Sequence, residues 1–579
     1  MLLSLARTFL RPYKRGVLCL VLLQLFQVGT TLLLPTFNAD IIDFGVVKGD
    51  SGYILRHGCV MMAVSVVQVA CNIGAVYLAA RTAAALGRDL QNAVFERVLS
   101  FSSREMGQFG APSLITRTTN DVQQIQVVVL LAFTLMVAAP IMCIGGIVMA
   151  LSLDVPLAWV LIAVVPVLGT AVGLIVRRTG PLFRVMQERL DDVNRILREQ
   201  IIGSRVIRAF VRDRYERERF GRASSELYDV AQSTGRLLAL MFPTVLTVVN
   251  LSSIAVVWFG AHRVASGGMA IGALTAFLAY LMQIVVAVMM ATFMLMRVPR
   301  AEVCAQRVAE VLDTESSVVA PAEPVTATRQ SRRGVLEIRG AQFRYPGAEE
   351  PVLQGIDVTV LPGETTAIIG STGSGKSTLL SLVARLLDVT DGEVLIDGHD
   401  VRCLEPASLS EIVGYCPQQP ILFSGTVATN LRYGHPGATD EELWHALDIA
   451  QAKTFVQALE GGLDAPIAQG GGNVSGGQRQ RLAIARTLVQ RPEIYLFDDS
   501  FSALDYATDA ALRTALAGET SAATVVVVAQ RVSTIRYASK IVVLEEGHVV
   551  GVGTHRELLD TCPTYQEIVF SQLTEQEAA

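Results

Sequence analysis

The sequence predicts two fold classes in series: an α-helical membrane domain of six spans, then an α/β domain. Three observations carry this prediction. Of 579 residues, 51% are hydrophobic and only 17% charged, which is low for a soluble chain, and mean hydropathy is +0.44. The apolar residues are dense up to about residue 300 and ordinary beyond it. The later part holds a glycine-rich loop between an apolar strand and a helix, and further on an apolar strand that ends in an acid. A formal net charge of −5, with no long basic run, argues against a nucleic-acid partner.

A helix needs about 20 apolar residues to cross roughly 30 Å of hydrocarbon. Six runs qualify, at about 16–37, 57–80, 128–152, 155–176, 238–261 and 271–296. The third and fourth are divided only by Ser152, Leu153 and Asp154 and read as a helical hairpin. An even count leaves both ends on one side of the bilayer. Arg7, Arg11, Lys14 and Arg15 precede the first run. Arg81, Arg88, Arg97, Arg104 and Arg117 follow the second, and eight arginines from Arg177 to Arg208 follow the fourth. The other loops hold only Lys48, Arg56 and Arg263. The positive-inside rule then puts the N-terminus, both long connections and the C-terminal half in the cytosol.

Residues 1–15 read as an interfacial amphipathic helix leading into an uncleaved span. The connections 81–127 and 177–237 are too polar for lipid yet carry helical periodicity, as at Leu190, Val193, Ile196 and Leu197, so they read as spans continuing into the cytosol. Asp40 and Asp43, at the far end of the first span, are expected to make interfacial hydrogen bonds. The last span is rich in methionine (Met282, Met289, Met290, Met294, Met296), which suits either adaptable apolar binding or helix packing. The eight cysteines, among them Cys143, Cys304 and Cys416, show no metal-ligand spacing and read as reduced thiols.

In the second part, Gly370, Ser371, Thr372, Gly373, Ser374, Gly375, Lys376, Ser377 and Thr378 fit the P-loop pattern. Glycines let backbone N–H groups curl around phosphates, and the helix start favours their charge. Lys376 is expected to reach the β- and γ-phosphates, and Ser377 to ligate magnesium. The run from Ile494 to Asp498 reads as a buried parallel strand ending in a second magnesium partner. A nucleoside triphosphate and magnesium are the expected ligands.

Between these motifs lie Val474, Ser475, Gly476, Gly477 and Gln478. With them the chain resembles the ABC transporters, whose signature usually begins with Leu. The resemblance covers essentially the whole chain and matches half-transporters of exporter-type fold: a six-span membrane domain at 1–312, a linker at 313–334 and an ABC ATPase domain at 335–579. It implies that Tyr345 stacks on adenine and that Gln418 senses magnesium and the membrane domain. It also implies that Ser502 to Asp505 cross a dimer seam and that the signature contacts ATP held by the opposite chain. By position, Glu105 to Asn120 and Gly203 to Arg214 correspond to the short coupling helices that dock on cassettes.

Two positions depart from the family pattern. Asp499 stands where the catalytic glutamate is usual, and Gln530 where the switch histidine is usual. Asp499 keeps the charge but is one methylene shorter; Gln530 can hydrogen-bond a phosphate but carries no proton or positive charge. Ala468, Gln469 and Gly470, just before the signature, lack a glutamate that exporters often have there. These departures imply a chain that binds ATP well, hydrolyses it poorly at its own P-loop, and lends its signature to a productive site on a different partner chain. The resemblance then implies ATP-driven export of a hydrophobic or amphipathic small molecule across a bacterial plasma membrane. Import on the same fold, or a regulatory ATP-binding membrane protein without transport, are the alternatives.

Overall fold

The structure, a computed structural model, describes residues 1–325 and 334–574, with the backbone alone for Leu295 and Met296. It divides into two compact units, Met1–Leu99 with Ala111–Thr314, and Ser100–Gly110 with Glu315–Ala579. Of the Pro/Thr/Ser/Arg-rich linker stretch, residues 326–333 lie outside the described residues, as does the side chain of Met296.

The first unit holds six helices long and apolar enough to cross a membrane: Leu2–Val46, Ser51–Leu99, Ala111–Leu153, Val155–Ile202, Asp213–Ala265 and Ile271–Asp313. They match the six apolar runs in number and order. Each is longer than its run because the helix continues through the polar flanks. Ser51–Leu99 and Val155–Ile202 contain 49 and 48 residues. At 1.5 Å per residue they extend about 70 Å, more than twice the hydrocarbon thickness.

Where the spans turn, side chains take up free backbone groups. Asp154 is buried between the third and fourth helices; its Oδ1 accepts the Leu157 N–H at 2.9 Å and its Oδ2 the Arg263 guanidinium at 2.7 Å. Asp43 Oδ1 accepts the Gly272 N–H at 2.7 Å, which satisfies an open donor at the start of the sixth helix. Residue 272 has no room for a side chain, since a Cβ there would stand 2.2 Å from the Ala39 carbonyl oxygen. Phe277, Tyr280, Leu281 and Ile284 of the sixth helix are fully buried among Val28, Leu32, Ala138 and Leu157. Met294 is buried and Met282 exposed, so the methionines do not share one environment. Two π-helical stretches, Arg117–Asp121 and Ala132–Met136, interrupt the third helix.

Short helices occupy both positions expected for coupling segments. Ser103–Phe109 opens with a capping box between Ser102 and Glu105. Burial pushes the Glu105 carboxyl up, but hydrogen bonds from Ser102 and Ser317 outweigh this and hold it below its ordinary range. Ser204–Ala209 carries the exposed Val206 and is flanked by exposed Ile202 and Phe210.

In the second unit the strands are β1 (Leu336–Phe343), β2 (Leu353–Val360), β3 (Thr365–Gly370), β4 (Asp391–Ile396), β5 (His399–Asp400) and β6 (Val413–Cys416). They continue as β7 (Gly425–Thr426), β8 (Pro466–Ile467), β9 (Ile494–Asp498), β10 (Thr524–Val528), β11 (Lys540–Glu545) and β12 (His548–Gly553). An antiparallel sheet runs β2-β1-β4-β5. The main sheet runs β12-β11-β3-β10-β9-β6 and is parallel except at the β12 edge. Every residue of β9 and β10 is buried, as expected for parallel strands covered on both faces. Four adjacent strands, β3, β10, β9 and β6, therefore point their C-terminal ends the same way.

Candidate functional site

In open parallel sheets ligands bind beyond the C-terminal strand ends, and the predicted residues gather there. The P-loop leaves β3, Gln530 follows β10 by two residues, Asp498 ends β9, and Gln418 follows β6 by two. They enclose a cavity of about 310 Å³ lined by Thr372, Gly373, Gly375, Lys376, Ser377, Thr378, Gln418, Asp498, Asp499 and Gln530, with Val352 and Val528 completing the wall.

The loop geometry depends on glycine at Gly375, the N-cap of the helix Lys376–Val383, where φ is +96° and a Cβ would stand 2.6 Å from Leu353 Cδ2. No side chain caps that helix, so its first N–H groups are free to meet an anion. Lys376 Nζ donates to the carbonyls of Gly370 (2.9 Å) and Ser371 (2.6 Å) and to Ser374 Oγ (3.3 Å). Burial lowers its pKa, while the carboxylates of Asp499 and Asp498 pull the other way.

Ser377 Oγ donates to Asp498 Oδ1 at 2.9 Å and the Tyr415 hydroxyl to Oδ2 at 3.4 Å. A hydroxyl and a carboxylate side by side are the oxygen donors that suit magnesium, which takes most of its other ligands from phosphates and water. Among the described residues no cluster of three or more His, Cys, Asp or Glu forms a metal cage. The loop and this oxygen pair therefore fit a magnesium nucleotide.

Asp499 takes a left-handed backbone, φ +46°, which costs a non-glycine residue about 1–2 kcal/mol and is best tolerated by Asp and Asn. Its N–H continues the ladder to the Val528 carbonyl at 2.9 Å. Its Oδ2 accepts two amide donors, Gln418 Nε2 and Gln530 Nε2, each at 3.1 Å. The two departures from the family pattern thus touch each other, and Gln418 joins them. Burial pushes both the Asp498 and Asp499 carboxyls up; hydrogen bonds from Ser377 and Gln418 offset this only in part.

Other predicted residues lie elsewhere in the unit. Tyr345 is off the cavity wall but beside the loop, its hydroxyl 3.3 Å from Thr378 Oγ1 and its ring edge-on to Phe343. Ser502 Oγ donates to the Asp499 carbonyl at 2.9 Å, while Asp505 caps the helix Tyr506–Glu519. Ser475 is the N-cap of Gly476–Gln490 and forms a capping box with Gln478. None of Val474, Ser475, Gly476, Gly477 and Gln478 lines the cavity. Sequence reasoning missed two contributors. Tyr415 is marked only by its place three residues before Gln418. Gln572 donates to the Gln530 carbonyl at 2.8 Å and accepts from the Val532 N–H at 2.9 Å, a long-range contact with no local signal.

Comparisons with known proteins bear on the whole chain. The family model of the ABC transporter transmembrane region matches residues 17–288, and the ABC transporter family model matches 353–502. An uncharacterized ABC transporter ATP-binding protein of Mycobacterium tuberculosis is 51% identical over 99% of this chain and 98% of its own length. A Staphylococcus aureus ATP-binding/permease protein, whose name proposes multidrug export, is 30% identical over 97% of this chain and 98% of its own length. A bacterial Atm1-family ABC exporter solved with ATP bound shares the fold, with TM-score 0.80 and 24% identity over 97% of this chain and 99% of that one. The chain belongs to the ABC transporters and carries a six-helix transmembrane region and an ATP-binding region on one polypeptide.

Proposed function

We propose that this chain is one half of a heterodimeric ABC exporter and forms the site that binds ATP but turns it over slowly. The observation that carries the reading is Asp499 Oδ2 held by both Gln418 and Gln530. A carboxylate one methylene short of glutamate, tied by two amides, is poorly placed to orient an attacking water. A neutral Gln530 supplies no charge to the γ-phosphate. Lys376, Ser377 and the loop N–H groups retain what is needed to hold the phosphates. Magnesium, when bound, neutralises charge on the β- and γ-phosphates; Ser377, Asp498 and Gln418 would hold it.

The signature from Val474 to Gln478 stays off its own chain's cavity, which supports its lending the Ser475 helix start to ATP on a partner. Tyr345 takes the adenine, and Ser502 and Asp505 lie on the segment that crosses the dimer seam. The arginine-rich connections support a cytosolic N-terminus and cassette. Charge-poor spans support a hydrophobic or amphipathic cargo, and the relative named for proposed multidrug export supports the outward direction. ATP closure of the cassettes would shift the spans between two states through its differential affinity for them.

The test is ATPase activity of the purified chain alone and with the product of the neighbouring transporter reading frame. Slow turnover alone and rapid turnover together are expected. Rapid turnover by the chain alone would overturn the asymmetry.

A further inference from the structure

A cluster of uncharged polar side chains lies inside the membrane unit. Gln24, Gln27 and Thr31 lie on one face of the helix Lys14–Asp40. Thr31 Oγ1 accepts from Gln27 Nε2 at 3.3 Å and from Gln68 Nε2, on the second span, at 2.9 Å. Gln283 Nε2, on the sixth span, donates to the Thr31 carbonyl at 3.2 Å. Three spans therefore bring four amide or hydroxyl side chains to one point. At 1.5 Å per residue, Thr31 is about 14 Å from Asp40 and Gln283 about 18 Å from Ile271, close to the middle of a roughly 30 Å core.

In two of these glutamines the amide nitrogen is used and the oxygen is not. Among the described residues Gln283 Oε1 is buried without a hydrogen-bond partner, and so is Gln24 Oε1, whose amide nitrogen donates to the Thr134 carbonyl at 3.2 Å in the π-helical stretch. Side chains serving only as ties between helices would have both ends satisfied. Polar groups at this depth belong on a bundle interior or a water-filled path and not against lipid. The cluster holds no ionisable side chain, and Asp43 is already occupied by the Gly272 N–H.

We propose that Gln27, Thr31, Gln68 and Gln283 form the head-group subsite of the transport pathway. It takes the neutral hydrogen-bonding head, an amide or a hydroxyl, of an otherwise apolar molecule. Carboxamides and a hydroxyl donate and accept hydrogen bonds but offer no counter-charge to a desolvated carboxylate or ammonium. The inference rests on the transport reading above.

The test uses the full chain in nanodiscs, with any subunit that copurifies, and four probes of equal tail: octanamide, octanol, octanoate and octylammonium. Binding is measured by equilibrium retention and corrected for partition into empty nanodiscs. The expected result is about tenfold tighter retention of octanamide and octanol than of the charged probes. Joint Gln68→Met and Gln283→Met replacement should reduce that preference to within twofold, while Thr31→Ser, which keeps the hydroxyl, preserves it. Equal retention of all four probes by the unaltered protein would overturn the proposal, as would an undiminished preference in the double variant. Loss of melting temperature together with all probe binding in the double variant would assign the amides to helix packing and also overturn it. Head-group preference without ATP-dependent accumulation of any probe in inverted vesicles would uphold the subsite and overturn the transport reading.

Discussion

If the site is slow as proposed, replacing Asp499 by Glu and Gln530 by His should turn it into a fast one. Asp499 Oδ2 stands 3.1 Å from both Gln418 Nε2 and Gln530 Nε2, so the carboxylate is fixed and not merely short. One methylene adds about 1.5 Å of reach, and an error of about 1 Å in a catalytic group costs roughly a hundredfold, or about 2.7 kcal/mol of barrier. Asp499→Glu alone should therefore raise hydrolysis at this chain's P-loop by about a hundredfold. Gln530→His should add up to roughly tenfold more by restoring a group able to carry charge. Single-turnover release of labelled γ-phosphate is the assay, in nanodiscs, with ATP binding measured on the same sample. A double variant that binds ATP normally yet hydrolyses within threefold of the unaltered chain would refute the reasoning.

Lys376→Met should weaken ATP binding at least tenfold, read by displacement of a fluorescent nucleotide, because among the described residues the buried ammonium is the only lysine on the cavity wall. Tyr345→Ala should weaken it by about 5-fold to 160-fold, the range for losing one base–aromatic stack of about 1–3 kcal/mol, with Tyr345→Phe much milder. Arg263→Met should lower the melting temperature of the membrane unit. It leaves the buried Asp154 carboxylate with only the Leu157 N–H and costs about 1–3 kcal/mol, less than a fully buried pair because Arg263 is partly exposed. The Asp499 pKa is raised in the fold, chiefly by burial. Its contribution to stability is then complete below the ordinary Asp pKa and is lost as pH rises through the folded value. The melting temperature of Asp499→Asn should exceed that of the unaltered chain at pH 7 and converge on it in acid; a constant difference across pH would count against that assignment.

The spans and the P-loop were legible because each is local. A run of apolar residues or a glycine loop before a helix needs nothing from elsewhere in the chain. The same holds for Asp154, whose place between two apolar runs already marked a turn. The contact of Gln418 and Gln530 with Asp499 was not legible. Those residues are 81 and 31 positions from Asp499, and only the alignment of β6, β9 and β10 brings them together. Gln24 and Gln283 were invisible for the same reason, since single glutamines in apolar runs gain meaning only when the helices are packed. The π-helical stretches likewise left no periodicity that distinguishes them from ordinary helix.

The fixed register of β3, β10, β9 and β6 also decides where this sequence can change length. Val528 pairs with Ile368 on one side and Asp498 on the other, so the strands act as a ruler graduated in residues. Deleting one residue from β9 or β10 would retract its terminal group by about 3.3 Å and turn every following side chain to the opposite face of the sheet. Insertions and deletions among relatives that keep the nucleotide site should therefore fall in the connections leading into these strands and spare the strands themselves.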